Sequence, residues 1–208
     1  MTVRRTIFAV SILLLTFSGW HLTSALSKET ADKSVNRGQF ALIDHTGQPV
    51  SDQDFSGSYL LIFFGYTHCP DICPTALTIL GNTMDQLGSR AQDVQPLFIT
   101  LDPERDTYEV LADFVPYFHP RLIGLTGSLD AIKAVQKTYF VRSQKYTLGA
   151  ESSNPANKTD TNYLLDHTAA SYLLGTNGNG LALFHHGTPA SEIVDTILHF
   201  IARDAFHE

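Results

Sequence analysis

Cys69 and Cys73 are the only cysteines in a chain of 208 residues, and three residues separate them. They lie in the stretch FFGYTHCPDICPTAL, residues 63 to 77. Two thiols at this spacing have three readings. A pair of small buried hydrophobes is the bland one, and free cysteine often serves that way. Pro70, Asp71 and Pro74 beside them make a poor core. The second reading is a redox dithiol that cycles to a disulfide. The third is a soft-metal site, because two thiolates suit Cu(I) or Zn(II) and lack only one or two more ligands. Spacing alone does not separate the last two.

The flanking elements say where these thiols must sit. Tyr59 to Phe64 is an apolar run long enough for a strand buried on both faces. Beyond the thiols, Ala76, Leu77, Leu80, Met84 and Leu87 recur at steps of three and four. That spacing predicts a helix with Pro74 at its first position and Gly88 as its C-terminal cap. Both thiols then lie between the C-terminal end of a central strand and a helix N-terminus, where open α/β sheets bind ligands. The helix dipole and free N–H groups there favour thiolate over thiol. Asp71 stands behind the thiols or caps the turn. His68 either lowers a thiol pKa or faces solvent.

The rest of the chain supplies the frame. Phe40 to Ile43 reads as a short strand running into a turn, and Val94 to Leu101 as a second buried strand. Thr107 caps a helix running through Phe118; Leu122 to Leu125 is a strand, and Gly127-Ser128 opens an amphipathic helix. Residues 147 to 162 form a polar exposed loop. Order restarts at Tyr163 to Leu165, is interrupted at Asp166-His167-Thr168, and resumes from Ala170 to Leu174. Asn177 to Gly180 signals a hairpin turn before the strand Leu181 to Phe184, and Ser191 caps the last helix. The order β-β-α-β-α-β-α-β-β-α predicts an α/β fold of the thioredoxin-like type: a three-layer sandwich with a central mixed sheet flanked by helices. Asp102 to Asp106 holds three acids but reads as a structural turn, since Asp-Pro starts a turn and Arg105 pairs internally. His185 and His186 read as a solvated strand end.

A formal charge of −7 and a pI near 5.6 exclude a nucleic-acid partner. The N-terminus differs in kind. Arg4 and Arg5 precede an uncharged apolar stretch from Ile7 to about Trp20, the pattern of an exported chain. The stretch falls short of the roughly 20 residues of a comfortable span, and Thr23-Ser24-Ala25 can serve as a cleavage site. Two outcomes stay open. One is a single anchor in the inner membrane with the domain facing the periplasm; the other is a soluble periplasmic protein after signal cleavage. The organisation is then a membrane or signal segment at 1–26, a linker at 27–38 and one domain at 39–208. An exported close pair of cysteines tends toward a disulfide unless something keeps it reduced.

Three stretches together carry a family likeness: FFGYTHCPDICPTAL at 63 to 77, ITLDPERDT at 99 to 107 and YLLDHTAASYLL at 163 to 174. Gly124-Leu125-Thr126-Gly127 lies between them at a fitting place. In these residues and in their order the chain resembles the Sco/SenC family of copper-delivery proteins. The resemblance implies a membrane-tethered thioredoxin-like domain that carries copper to the dinuclear centre of cytochrome c oxidase subunit II. It also implies an accessory reduction of that centre's cysteines. Carried over, the copper ligands are Cys69, Cys73 and His167, for Cu(I) and with Cu(II) left open. His167, alone an ordinary satisfied histidine, gains its role from the Asp-His-Thr context and is expected in a loop at a strand edge. Asp166 is expected to orient or charge-balance its imidazole.

A Cys69–Cys73 disulfide cannot ligate Cu(I) as two thiolates, so a thioredoxin-like reductant is the second expected partner. Tyr66 and Ile72, expected to be exposed beside the thiols, are the anticipated docking contacts. The reading is a metallochaperone rather than an enzyme. The alternative is a thiol-disulfide oxidoreductase acting on that centre or on another exported client. Thioredoxin-type enzymes use C-x-x-C with a proline opposite the thiols. Here the spacing is one residue longer, and no proline occurs from Tyr163 to Gly175.

Overall fold

The computed structural model describes residues 39–147 and 163–206. The expected anchor and linker, and most of the expected polar loop, lie outside the described residues. No helix among the described residues is long and apolar enough to cross a membrane.

The fold is built on β3 (Tyr59–Gly65), all seven of whose residues are buried. A strand with no polar face must be covered on both sides, and the topology supplies that cover. β4 (Val94–Thr100) and β5 (Ile123–Thr126) run parallel to it in the order β5-β4-β3. β1 (Ala41–Asp44) and β2 (Pro49–Ser51) extend one edge antiparallel; β8 (Ala170–Leu174) and β9 (Gly180–His185) extend the other. The result is a seven-stranded mixed sheet, β2-β1-β5-β4-β3-β8-β9, flanked by helices, as the element order predicts.

The helices are α1 (Ile72–Leu87), α2 (Tyr108–Phe114), α3 (Leu129–Thr138) and α4 (Ala190–Asp204). α1 and α4 pack against each other, α2 lies on β5, and α3 meets β1. Phe63 and Phe98 stack at the sheet centre, their ring centroids 6.5 Å apart.

Several boundaries differ from the sequence reading, each for a local reason. α1 begins at Ile72, so Cys73 is its second residue and Pro74 its third. Any of the first four N–H groups of a helix lacks an intrahelical acceptor, so proline is tolerated there as well as at the first position. Thr107 does cap α2, its hydroxyl accepting the Val110 N–H, but the helix passes into a 3-10 turn at Val115–Tyr117. Pro116 sits in that turn and supplies no N–H to continue the helix. Ser191 lies inside α4, whose first residue follows Pro189.

A second sheet was not foreseen. β6 (Ser143–Thr147) pairs antiparallel with β7 (Tyr163–His167), placing Ser143 opposite His167. His167 is therefore the last residue of a strand rather than a loop residue.

Candidate metal centre

The two thiols occupy the predicted junction and differ sharply in environment. Cys73, in the first turn of α1, is fully buried, while Cys69 is half-buried ahead of the helix. Burial pushes the Cys69 thiol up. The N–H groups of Asp71, Cys73 and Ile72 and the Cys73 side chain outweigh that, leaving its pKa below the ordinary thiol value. The Cys73 N–H reaches Cys69 Sγ at 3.5 Å. This is a helix N-terminus whose free donors converge on one sulfur. Burial pushes the Cys73 thiol far up, although the Tyr66 N–H donates to its sulfur and lowers it.

Gly65, which ends β3, makes room for Cys73. A Cβ at this position would meet Cys73 Sγ at 2.7 Å and Phe63 Cε1 at 2.9 Å. The sulfur rests almost on the backbone of the central strand.

His167 arrives from the other side, 94 residues later in the chain, with Nε2 3.5 Å from Cys73 Sγ. Its Nδ1 lies 3.1 Å from the Thr168 carbonyl oxygen. A carbonyl can only accept, so Nδ1 carries the proton and Nε2 keeps its lone pair toward the sulfurs. Burial holds the imidazole below its ordinary pKa, despite the Thr168 carbonyl and the Asp166 charge, which raise it. The ring is thus neutral at pH 7, the form that ligates a metal. The ligand atoms of Cys69, Cys73 and His167 all lie within 4.8 Å of one another. A solvent crevice lined by Gln136, Arg142, Gln144, Asp166, His167 and Thr168 reaches the imidazole.

β7 is held at the thiols by the charged turn after β4. Tyr163 donates its O–H to buried Asp102 at 2.6 Å, and Arg105 donates to the Tyr163 carbonyl at 3.1 Å. The Arg105 guanidinium also lies 3.7 Å over the Tyr163 ring and pairs with Asp102. Asp106, buried as well, accepts from the Thr67 N–H at 3.0 Å, the Thr67 hydroxyl at 2.5 Å and the Thr100 hydroxyl at 2.6 Å. The Asp102–Asp106 turn thus positions both halves of the site, one acid for each, and its carboxylates are consumed by protein donors.

The expected supporting residues fall differently. Asp166 is exposed and acts on the imidazole through its charge; the orienting hydrogen bond goes to Thr168. The Asp71 side chain makes no capping bond, and its contribution is its backbone N–H on Cys69. Ile72 is 37% exposed, as anticipated, but Tyr66 is only 2% exposed and is no docking contact. Its ring stands edge-on to His167 at 6.0 Å. Gly65, Tyr66, Thr168 and Asp106 were not assigned to the site from sequence. The one available signal was their place within the three matched stretches.

The sequence profile of the SCO1/SenC family matches residues 28–202. The chain belongs to the SCO1/SenC family. It is 40% identical over 171 residues to the mitochondrial SCO2 homolog of Bos taurus, covering 81% of this chain and 61% of that protein. It is also 40% identical over 167 residues to the mitochondrial SCO1 homolog of Homo sapiens, covering 79% of this chain and 52% of the relative. The chain thus spans between half and two thirds of these curated relatives. Among solved structures, Arabidopsis thaliana ScoI with copper bound matches at a TM-score of 0.69 and 35% identity, over 79% of this chain and 97% of that one. Copper-bound ScoI of Bradyrhizobium japonicum matches at 0.68 and 34%, over 77% and 96%. The thioredoxin-like fold expected of this Sco-family chain is therefore the fold it has.

Proposed function

We propose that this protein binds copper through Cys69, Cys73 and His167 and delivers it to the dinuclear copper centre of cytochrome c oxidase subunit II. One observation carries the reading: two sulfurs and a neutral imidazole with its Nε2 lone pair free converge within 4.8 Å. This donor set suits soft Cu(I), which accepts low coordination by thiolate and imidazole. The copper held by similar family structures supports the same choice. In this reading Cys69 is the ready donor, and Cys73 surrenders its proton as the metal is loaded. The crevice beside His167 leaves one side of the site open to the receiving protein. The domain at 39–208 is the copper-binding part, and residues 1–26 associate it with a membrane on the periplasmic side, whether as anchor or as signal. Flotation of the full chain with lipid vesicles, lost when residues 1–26 are removed, is the expected result.

Competition for Cu(I) against a chromogenic chelator tests the site. The reduced wild type is expected to bind one equivalent tightly, and Cys69→Ser, Cys73→Ser and His167→Ala each to lose that binding. Affinity indifferent to His167 would sink the three-ligand site.

A second reading is favoured by the thiol asymmetry. A half-buried sulfur of lowered pKa ahead of a fully buried partner is the arrangement of an attacking and a resolving thiol. Cys69 thiolate would attack a client disulfide, forming a mixed disulfide and releasing one client thiolate. Cys73, losing its proton to solvent, would then displace the second client sulfur. The client gains two electrons and this protein becomes the Cys69–Cys73 disulfide. A thioredoxin-like reductant must then restore the dithiol, as it must for copper loading.

A further inference from the structure

His167 is carried on a ribbon that the main sheet does not hold. β7 pairs with β6 alone, in a sheet of two strands, and all five β6 residues are exposed. A two-stranded ribbon is marginal by itself. Something else must fix β7 before its last residue can stand at the thiols with the precision a metal bond demands.

Alternation along the strand shows what does. Tyr163, Leu165 and His167 share one face, since residues two apart on a strand point the same way. Each meets the body of the protein. His167 stands at Cys73, Leu165 is buried with its N–H on the Tyr66 hydroxyl, and Tyr163 sits on the turn after β4. The ligand and this clamp are the two ends of one strand face, about 13 Å apart at the usual rise per residue.

Arg105 is the centre of the clamp. Its Nε donates to Asp102 Oδ2 at 2.5 Å, its Nη1 donates to the Tyr163 carbonyl at 3.1 Å, and its guanidinium lies 3.7 Å over the Tyr163 ring. Tyr163 closes the circuit by donating its hydroxyl to the other Asp102 oxygen, Oδ1, at 2.6 Å. Asp102 is wholly buried and the Arg105 side chain is 11% exposed, so water competes little for these bonds. Lys145 also lies against the Tyr163 ring and pairs with Glu104, but both are well exposed, and a surface pair of that kind holds little. The planar fork of an arginine reaches carboxylate, carbonyl and ring face together; the single ammonium of a lysine does not.

We propose that Arg105 is a positioning residue for the third metal ligand. By clamping Tyr163 to Asp102 it sets the docking of β7, and it acts on Cu(I) affinity through His167 and not through the thiols. The proposal rests on the copper reading above and assigns within it which part of the charged turn governs which ligand.

Double-mutant cycles in Cu(I) competition on the reduced full chain test this. Arg105→Lys keeps the charge and loses the fork, whereas Arg105→Ala would strip a buried acid of its ion pair and is avoided. Arg105→Lys is expected to weaken Cu(I) binding about tenfold, as loss of a residue that orients a metal ligand does. In His167→Ala, where a weaker chelator reads the binding left to two thiols, the same change is expected to have no further effect. Tyr163→Phe removes only the hydroxyl bond to Asp102 and should repeat the pattern at about threefold, the worth of one hydrogen bond. Thr67→Val is the contrast, because it loosens the thiol loop from Asp106, and its loss should persist in His167→Ala. Undiminished affinity in Arg105→Lys, or an equal loss with and without His167, overturns the proposal; the equal loss would mean general loosening of the fold. A Thr67→Val loss that also vanishes with His167 overturns it too, since the two halves of the turn would then not act on separate ligands. All three results leave tight Cu(I) binding by the wild type, and with it copper delivery, in place. A wild type that binds no Cu(I) defeats both.

Discussion

At the scale of single residues, Gly65 decides whether the two sulfurs can lie where they do. The Cβ of an alanine would meet Cys73 Sγ at 2.7 Å, Phe63 Cε1 at 2.9 Å and Phe98 Cε2 at 3.1 Å. None of these can retreat cheaply, since Cys73 and both rings are fully buried in one core. Gly65→Ala is expected to destabilise the protein by about 1–3 kcal/mol, the usual cost of overpacking. It should also weaken Cu(I) binding by tenfold or more, because the displaced atom is a ligand. Gly180→Ala is the control, as a Cβ there meets nothing within 4 Å. Urea melts and chelator competition on the two variants check both effects, and equal affinity in the two would refute the steric role. The thiols were legible in the sequence because residue type and spacing mark them. His167 was legible through the stretch around it. Tyr66 was not: a tyrosine after a strand-ending glycine looks solvent-bound. It is buried, and its hydroxyl is met by the Leu165 N–H, 99 residues downstream.

At the scale of elements, the backbone after α3 carries the only positive-φ residue other than glycine among the described residues, Phe140 at φ 56°. The Val141 N–H reaches the Gln136 carbonyl at 2.9 Å, closing the helix in the way a glycine at this position normally permits. A Cβ in left-handed backbone costs about 1–2 kcal/mol, and the ring recovers nothing by burial, being 87% exposed. Phe140→Gly is therefore expected to stabilise the protein by about 1 kcal/mol. In urea the midpoint should rise with an unchanged slope. A midpoint that stays or falls would show that the ring does have a partner in the folded molecule. The long elements were legible because β3 and α1 bury continuous or periodic apolar faces. β6 was not, since all five of its residues are exposed and it is a strand only through its pairing with β7. Tertiary pairing therefore also decided that His167 ends a strand.

At the scale of the whole molecule, the parallel core β3-β4-β5 and the closing hairpin β8-β9 could be read from element order alone. The order brings the end of β3, the head of α1 and the end of β7 to one point. That convergence governs how a bound metal should act on stability. A ligand stabilises the fold only by its excess affinity for the folded over the unfolded chain. Cys69 and Cys73 are so close in sequence that the unfolded chain can also hold Cu(I) between them. Only the imidazole, 94 residues from Cys73, requires the fold. Saturating Cu(I) should therefore raise the melting temperature of the reduced wild type, by on the order of 5 °C if the excess is about 2 kcal/mol. His167→Ala should lose most of that rise, although its two thiols remain. Scanning calorimetry of both proteins with and without Cu(I) makes the comparison. An undiminished rise in the variant would mean that the two thiols alone distinguish folded from unfolded chain, and that His167 is a neighbour of the site rather than a ligand.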